Sequence, residues 1–421
     1  MIHCSSLADW LDWQETLHPK KIDLGLERVL QVAERMQLLT PRYGIVTVAG
    51  TNGKGSSVAM LDAILSSAGY RTACYSSPHL LRYNERIRIA GKEVDDEALC
   101  KAFECVEQAR GDTSLSYFEF GTLAALSLFR AACPDIALLE VGMGGRLDAV
   151  NILDADAALV TSIDIDHSAW LGTDREAIGR EKAGIFRKGR AAVCSDPNPP
   201  ASVPRQAQSL SASWYAPGCG FEWNTTETGW NWYSDKNAYQ ELPLPALPGA
   251  HQVQNAAGVL MVLETLAGRF PVTRSAIEQG LARVTLAGRC QVLPGTVETI
   301  LDVAHNPDAA EQLALMLHNR VIPGRTRVVL GMLADKDVAG FVAMLAPVVN
   351  DWYLATLPGE RGLSAGDLGQ LIKRRDPTET IQSFRDVVSA FQQAHADAKS
   401  GDRVVVCGSF LTVAEVLACH V

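Results

Sequence analysis

The stretch Gly50-Thr51-Asn52-Gly53-Lys54-Gly55-Ser56 constrains this chain more than any other. An apolar, strand-like run over 45–48 precedes it and a helix-like segment over 57–65 follows. Strand, glycine-rich turn, lysine and helix together make a phosphate cradle. Glycines let the backbone wrap an anion, the N–H groups at the helix start point at it, and lysine adds positive charge. The spelling departs from the strict phosphate-loop motif: Val48 stands for its first glycine, and Gly55 follows Lys54 where Ser or Thr is usual. A glycine-rich turn after a strand is also a purely structural device. Here Lys54, the hydroxyls and both flanking elements accompany it, so a nucleotide-binding chain is expected.

With 421 residues there is room for two or three domains with separate cores. Alternating segments from about residue 45 to 195 read as a parallel α/β sheet, with strands expected over 45–48, 136–141, 158–163 and 191–194. Between Pro197 and Pro248 the texture changes, and Trp214, Trp223, Trp230 and Trp232 crowd together. That stretch reads as a small β-rich insertion with a compact β core; a base-stacking platform made by the aromatic cluster is the alternative. Helical periodicity returns over 253–266 and 274–283. A second series follows, with strands over 297–303, 327–330, 352–355 and 403–407 and helices over 309–317, 338–345, 365–372 and 387–396. The expected class is therefore α/β: a phosphate-loop domain over 1–287 carrying the insertion, a connector over 288–296, and a Rossmann-like domain over 297–421.

A net charge of −10 weighs against nucleic acid as a general partner, although a local basic cluster can still receive an anionic substrate. No run of 18 apolar residues exists, and the first residues lack a basic segment followed by an apolar core. Ten cysteines are scattered without a C-x-x-C pair. The expectation is a cytoplasmic monomer with no membrane span and no signal peptide.

Four clusters sit where strands end, the edge at which open α/β sheets hold ligands. Ser76-Ser77-Pro78-His79-Leu80 with Arg82-Tyr83-Asn84-Glu85-Arg86 offers hydroxyl oxygen and anion contacts, or merely a helix cap and a solvated face. Glu140 ends an apolar strand and leads into Val141-Gly142-Met143-Gly144-Gly145-Arg146-Leu147-Asp148. A charge there is costly unless paired or metal-bound, though many strand-end carboxylates are simply solvated. Asp164-Ile165-Asp166-His167 follows the next strand. The hard oxygens of Ser77 and Glu140 suit Mg²⁺; an imidazole is a less usual partner, and a structural role for His167 is the alternative. Glu181-Lys182-Ala183-Gly184-Ile185 closes the series, and chemistry alone assigns Lys182 no role.

In this order, and with His251-Gln252-Val253-Gln254-Asn255, Gly288-Arg289, Asp302-Val303-Ala304-His305-Asn306-Pro307 and Gly408-Ser409-Phe410, the chain resembles the folylpolyglutamate synthase family. That family belongs to the wider Mur-type ATP-dependent carboxylate–amine ligases, and the resemblance runs through both domains. It implies that Thr51, Asn52, Gly53, Lys54, Gly55 and Ser56 hold ATP phosphates, with Asn255, Arg289 and Asp302 as further nucleotide contacts. It implies two Mg²⁺ ions on Ser56, Ser77, Glu140 and His167, and a carbamylated Lys182. Lys54, Lys182 and His305 become the catalytic candidates, and Ser409 joins His305 in handling L-glutamate.

His18-Pro19-Lys20-Lys21-Ile22-Asp23-Leu24-Gly25-Leu26-Glu27-Arg28-Val29 resembles a segment that helps bind the pterin of dihydropteroate in bifunctional members; an amphipathic helix capped by Asp23 is the alternative. Phe118, Glu119 and Phe120 resemble a second pterin-contacting strip, although aromatic core packing reads the same way. Arg82, Leu147, Asp148 and Ala149 complete the implied substrate set. The resemblance favours addition of glutamate both to dihydropteroate and to tetrahydrofolates, with a monofunctional folylpolyglutamate synthase as the alternative. A Mur-type peptidoglycan ligase or a non-enzymatic nucleotide switch would share the loop. Neither accounts for the Ser-Ser-Pro-His and pterin-like segments together with Glu140, His167 and Lys182.

Overall fold

The computed structural model describes residues 6–20 and 23–420. Contacts divide the chain into two compact units, Met1–Ala246 with Val253–Val284, and Leu247–Gln252 with Thr285–Val421.

The strands of the first unit are β1 (Gly44–Ala49), β2 (Thr72–Tyr75), β3 (Ile87–Ile89), β4 (Lys92–Glu93), β5 (Ile136–Glu140) and β6 (Ala157–Val160). They continue with β7 (Ala191–Cys194), β8 (Ser213–Pro217), β9 (Gly220–Thr225), β10 (Trp230–Ser234) and β11 (Ala238–Leu242). All eleven form one sheet in the order β11-β10-β9-β8-β7-β6-β1-β5-β2-β3-β4. Its centre, β7-β6-β1-β5-β2, is parallel. Helices cover the sheet: α1 (Leu7–Leu17), α2 (Glu27–Arg35), α3 (Lys54–Ser67), α4 (Asp96–Arg110), α5 (Tyr117–Ala132), α6 (Ser168–Leu171), α7 (Arg175–Lys182) and α8 (Ser202–Ser209). α9 (His251–Thr265) and α10 (Arg274–Arg283) follow the sheet. β1 and β5 are buried along their whole length, which is why they read as unbroken apolar runs instead of alternating ones.

The stretch 197–248 opens with helix α8 and carries strands β8–β11, and its first strand, β8, pairs parallel with β7, so the β-rich insertion extends the main sheet. Two expectations need correction. The tryptophans of this stretch do not form one cluster. Trp230 and Trp232 are fully buried and donate to Pro243 O and Ala257 O, while Trp214 packs on Phe186 and Trp223 stacks on Phe221. β6 stops at Val160, short of the expected Ile163, because the Thr161 hydroxyl turns to the carbonyls of Ala49 and Asn52.

The second unit holds β12 (Gln291–Leu293), β13 (Glu298–Leu301), β14 (Thr326–Leu330), β15 (Asp351–Ala355), β16 (Ile381–Phe384) and β17 (Arg403–Cys407). Their order is β12-β13-β17-β14-β15-β16, parallel except for β12. Its helices are α11 (Pro307–Asn319), α12 (Val338–Leu345), α13 (Ala365–Arg375), α14 (Val387–Asp397) and α15 (Phe410–Ala418). The stretch 288–296, expected as a plain connector, carries edge strand β12, with Gln291 paired to Leu301.

Candidate active site

The loop Gly50–Ser56, expected to cradle phosphate, lies at the carboxyl end of β1, between β5 and β6. Gly53 caps α3 with φ +90°, a left-handed conformation natural to glycine, and a Cβ there would meet Asn255 Oδ1 at 2.5 Å. Asn255 is thereby placed against the loop. Lys54 opens α3, and its Nζ donates to Gly50 O at 3.0 Å and Thr51 O at 3.2 Å. Thr51 Oγ1 donates to Asp164 O at 2.9 Å and accepts the Asp164 N–H at 3.0 Å. Asn52 O accepts from Thr161 Oγ1 at 2.6 Å and Ser162 Oγ at 3.1 Å. Gly55 and buried Ser56 lie in the first turn of α3, whose leading N–H groups have no acceptor within the helix.

Glu140 ends β5 opposite Val48 of β1 and is 5% exposed. Its Oε2 accepts the Ser77 N–H at 3.2 Å, so two members of the expected metal set are neighbours. His167 lies across β1 from them, on the loop after β6, where it caps the one-turn α6 at φ +52°. Its N–H donates to Asp166 Oδ1 at 2.7 Å, and its Nε2 is 3.9 Å from Asp166 Oδ2.

Lys182 is the last residue of α7 and is 3% exposed. Burial holds its amine well below the usual lysine range; the Lys54 cation adds to the push and Asp166 opposes it. Both ends of α7 are anchored. The Arg146 N–H donates to Glu181 O at 2.8 Å, and a Cβ at Gly145 would lie 2.8 Å and 2.9 Å from Glu181 O and Lys182 O. The loop after β5 thus rests on the helix end. At the start of α7, Arg175 donates to Ile163 O at 2.7 Å and Asp196 Oδ2 at 3.0 Å. Asp196 Oδ2 also accepts the Ile163 N–H at 2.9 Å.

Asp148 accepts the N–H groups of Met143 at 2.9 Å and Val150 at 3.1 Å. Burial pushes its carboxyl up to about 7 from the ordinary 3.8, against those bonds and the pull of Lys54. In that window the folded protein keeps a proton that the unfolded chain has lost. The resulting stability is fully present below the unfolded value and is lost as pH rises through the folded one. Asp148→Asn stays neutral, so its melting temperature relative to the parent should rise between about pH 4 and about pH 7 and level off above that. A difference that does not change with pH would refute the shifted carboxyl.

Of the expected pterin set, Ile22 lies outside the described residues. Asp23 caps no helix, because α2 starts only after Leu26. Its carboxylate instead meets His18 Nε2 at 3.2 Å and Arg28 Nη1 at 2.7 Å, and Arg28 Nη2 reaches Glu119 Oε1 at 3.1 Å. This chain of contacts ties Asp23, and with it partly exposed Leu24 and Gly25, to the start of α5. Phe118 is partly exposed, its ring 5.7 Å from that of Tyr75. Phe120 is fully buried, with Trp13 and Phe103 at 5.7 Å and 5.6 Å, so a substrate contact there is corrected to core packing. Two residues apart on a helix point to different faces. The Glu119 carboxylate is committed to Arg28 and to the Ser116 N–H at 2.7 Å. Leu147 is partly exposed, while Ala149 is buried beside Asp148. Arg82 pairs at the surface with Asp96 at 3.1 Å, and Arg86 is the arginine that turns into the loop, donating to His79 Nδ1 at 2.8 Å.

In the second unit the expected residues gather after two neighbouring strands, β13 and β17. Asp302 accepts the N–H groups of Cys290 and Ala304, each at 2.8 Å. The Arg289 guanidinium lies 5.3 Å from the Phe410 ring centroid, and the His305 ring lies 6.1 Å from it. Val303 O accepts from His305 Nδ1 at 2.8 Å, which leaves Nε2 as the acceptor nitrogen of the neutral ring. Ser409 caps α15, accepting the Leu411 N–H at 3.2 Å.

Residues 48–263 match the Mur ligase middle domain and residues 288–410 the Mur ligase glutamate ligase domain. The chain is 47% identical over 413 residues to dihydrofolate synthase/folylpolyglutamate synthase of Escherichia coli, covering 98% of this chain and 95% of that one. The chain belongs to the dihydrofolate synthase/folylpolyglutamate synthase family. Among solved members, Escherichia coli FolC in complex with DHPP and ADP superposes with a TM-score of 0.94 at 46% identity, covering 99% of this chain and 98% of that one. A bifunctional folylpolyglutamate synthase/dihydrofolate synthase with Mn, AMPPNP and L-glutamate bound gives 0.91 at 48% identity, over 99% and 98% of the two chains. The two-domain α/β fold expected from the sequence is the fold of this family. Among the described residues no helix is long and apolar enough to cross a membrane. Nor do three or more His, Cys, Asp or Glu side chains converge as a metal cluster among them.

Proposed function

We propose that this chain is an ATP-dependent amide ligase. It would join L-glutamate to dihydropteroate, forming dihydrofolate, and to the γ-carboxyl of tetrahydrofolate polyglutamates, through an acyl phosphate. The observation that carries this reading is the convergence at β1: a phosphate cradle headed by Lys54, the Glu140–Ser77 pair on one flank, and a buried Lys182 within electrostatic reach of Lys54.

A carboxylate is a poor electrophile, so the acceptor's carboxylate first attacks the γ-phosphorus of ATP and ADP leaves. The glutamate amine then attacks the acyl carbon, phosphate departs, and the amine loses a proton. Lys54 and the leading N–H groups of α3 oppose the charge that builds on the transferring phosphoryl group. The Glu140 carboxylate and the Ser77 hydroxyl beside it offer hard oxygens of the kind Mg²⁺ takes, so the pair fits a metal. Ser77, Glu140 and His167, with Ser56, are the residues that would hold two Mg²⁺ ions, which supply further positive charge against the phosphates. A carbamate on Lys182 would convert a buried amine of depressed basicity into a carboxylate-like group beside Lys54. Arg289, Asp302 and Asn255 are assigned to the nucleotide, and His305 and Ser409 to glutamate. Leu24, Gly25, Phe118 and Leu147 are the partly exposed residues assigned to the pterin.

The decisive measurement is phosphate release with ATP and L-glutamate plus either dihydropteroate or a tetrahydrofolate. Release with both is the expected result. Release with tetrahydrofolate alone would make the enzyme monofunctional. Silence with both acceptors, in folded protein, would end the ligase reading.

A further inference from the structure

The loop that carries Ser77 is tied down more firmly than its exposure requires. Leu81 is 39% exposed, and Leu80 and Arg82 are at least partly open to water. Even so, the Glu85 carboxylate takes three consecutive backbone N–H groups: Leu80 on Oε2, and Leu81 and Arg82 on Oε1, each at 2.7 Å. A capping box for the short turn Tyr83–Arg86 needs only the Arg82 N–H. The other two donors belong to the loop, and at this exposure water would satisfy them. The carboxylate therefore fixes a shape; it does not rescue stranded donors.

The next residue closes the other side. Arg86 donates from Nε to His79 Nδ1 at 2.8 Å, and its guanidinium lies 5.2 Å and 5.6 Å from the ring centroids of Tyr83 and Tyr117. The Ser76 N–H donates to Arg86 O at 2.9 Å. Ser77 thus sits in a segment braced on both sides by Glu85 and Arg86, with its own N–H on Glu140 Oε2 at 3.2 Å.

We propose that Glu85 is a positioning residue for metal–nucleotide binding: it presets the Ser77 loop beside Glu140, so that the loop is already ordered when Mg²⁺–ATP arrives. The inference rests on the magnesium–ATP reading above. Partners that orient ligating groups commonly contribute about 10- to 100-fold to metal affinity, and Glu85 is expected at the lower end, about tenfold.

The test compares the full-length parent with Glu85→Ala and Glu85→Gln in two measurements. Hydrogen exchange of the segment 78–84, without nucleotide, reads loop order. Equilibrium binding of AMPPNP with and without Mg²⁺ reads the site. In Glu85→Ala, exchange should quicken about tenfold and Mg²⁺-dependent AMPPNP binding should weaken about tenfold, with binding in the absence of Mg²⁺ unchanged. Glu85→Gln keeps one acceptor oxygen and should fall between, and it carries the test if the alanine variant does not fold. Faster exchange with unaltered Mg²⁺ dependence would reduce Glu85 to a cap and overturn the inference. An equal loss with and without Mg²⁺ would also overturn it, as a general fold defect. A parent that binds AMPPNP identically with and without Mg²⁺ would instead sink the reading of the site, and this inference with it.

Discussion

Lys54→Ala is expected to lower kcat by about 10²- to 10³-fold, the usual cost of removing one electrostatic donor from a developing oxyanion. The Lys54 side chain already folds over the cradle, with Nζ on Gly50 O and Thr51 O, so the cation is placed before any ligand arrives. Little reorganisation is then needed at the moment of transfer. If the charge acts mainly in the transition state, kcat and kcat/KM should fall together, with KM for ATP nearly unchanged. Lys54→Ala also removes two hydrogen bonds from the loop, which would show as a raised KM. Steady-state kinetics with ATP varied separates the two effects, and turnover within a few-fold of the parent would remove Lys54 from the catalytic set.

The second large effect is expected from Lys182→Ala, about a hundredfold in turnover, with partial recovery in acetate or formate. The argument starts from the depressed basicity of a nearly fully covered amine beside the Lys54 cation. A neutral amine attacks CO₂: the C–N bond forms, the nitrogen releases a proton, and an anionic carbamate remains. The sign of the pH effect follows. For a lysine whose folded value is lowered, the folded state resists protonation, so its penalty on stability is greatest in acid and fades as pH rises toward the unfolded value. Acid would therefore destabilise the fold at this position and strip the carbamate. A ¹³CO₂-derived carbamate signal that disappears in Lys182→Ala is the direct observation. No signal in the parent and no recovery with short carboxylates would exclude the modification.

Where the sequence repeats a periodic pattern, elements are legible to within a residue or two. The helix expected over 338–345 and the strand over 403–407 coincide with α12 and β17. Strands β3 and β4, of three and two residues, carry too few for a pattern to emerge. The ends of elements depend on remote partners, as β6 shows when Thr161 turns back to Ala49 and Asn52. The candidate site divides the same way. The candidates for phosphate and metal lie in compact motifs: Lys54 and Glu140 stand out by their chemistry, while His167 enters as a ligand only through the family resemblance. Residues that hold those motifs in place carry no local signature, because Arg175 and Asp196 act on Ile163, 12 or more residues away in the chain. The one available signal was a carboxylate at a strand end: Asp196 follows β7 much as Glu140 ends β5. Phe118 and Phe120 illustrate the remaining gap, since a run of three residues read as one strip has two faces once it coils.

Helix α7 has a further consequence. Its eight residues span about 12 Å, with Arg175 clamped to the turn after β6 at one end and Glu181–Lys182 seated under the loop after β5 at the other. The helix therefore works as a ruler. One added residue would lengthen it by about 1.5 Å and swing its last side chain by about 100°, carrying Lys182 off its seat while both loops kept their own sequences. Length is then as tightly specified here as residue type. Chimeras between relatives should tolerate many exchanges on the outer face of α7 and no change in its residue count.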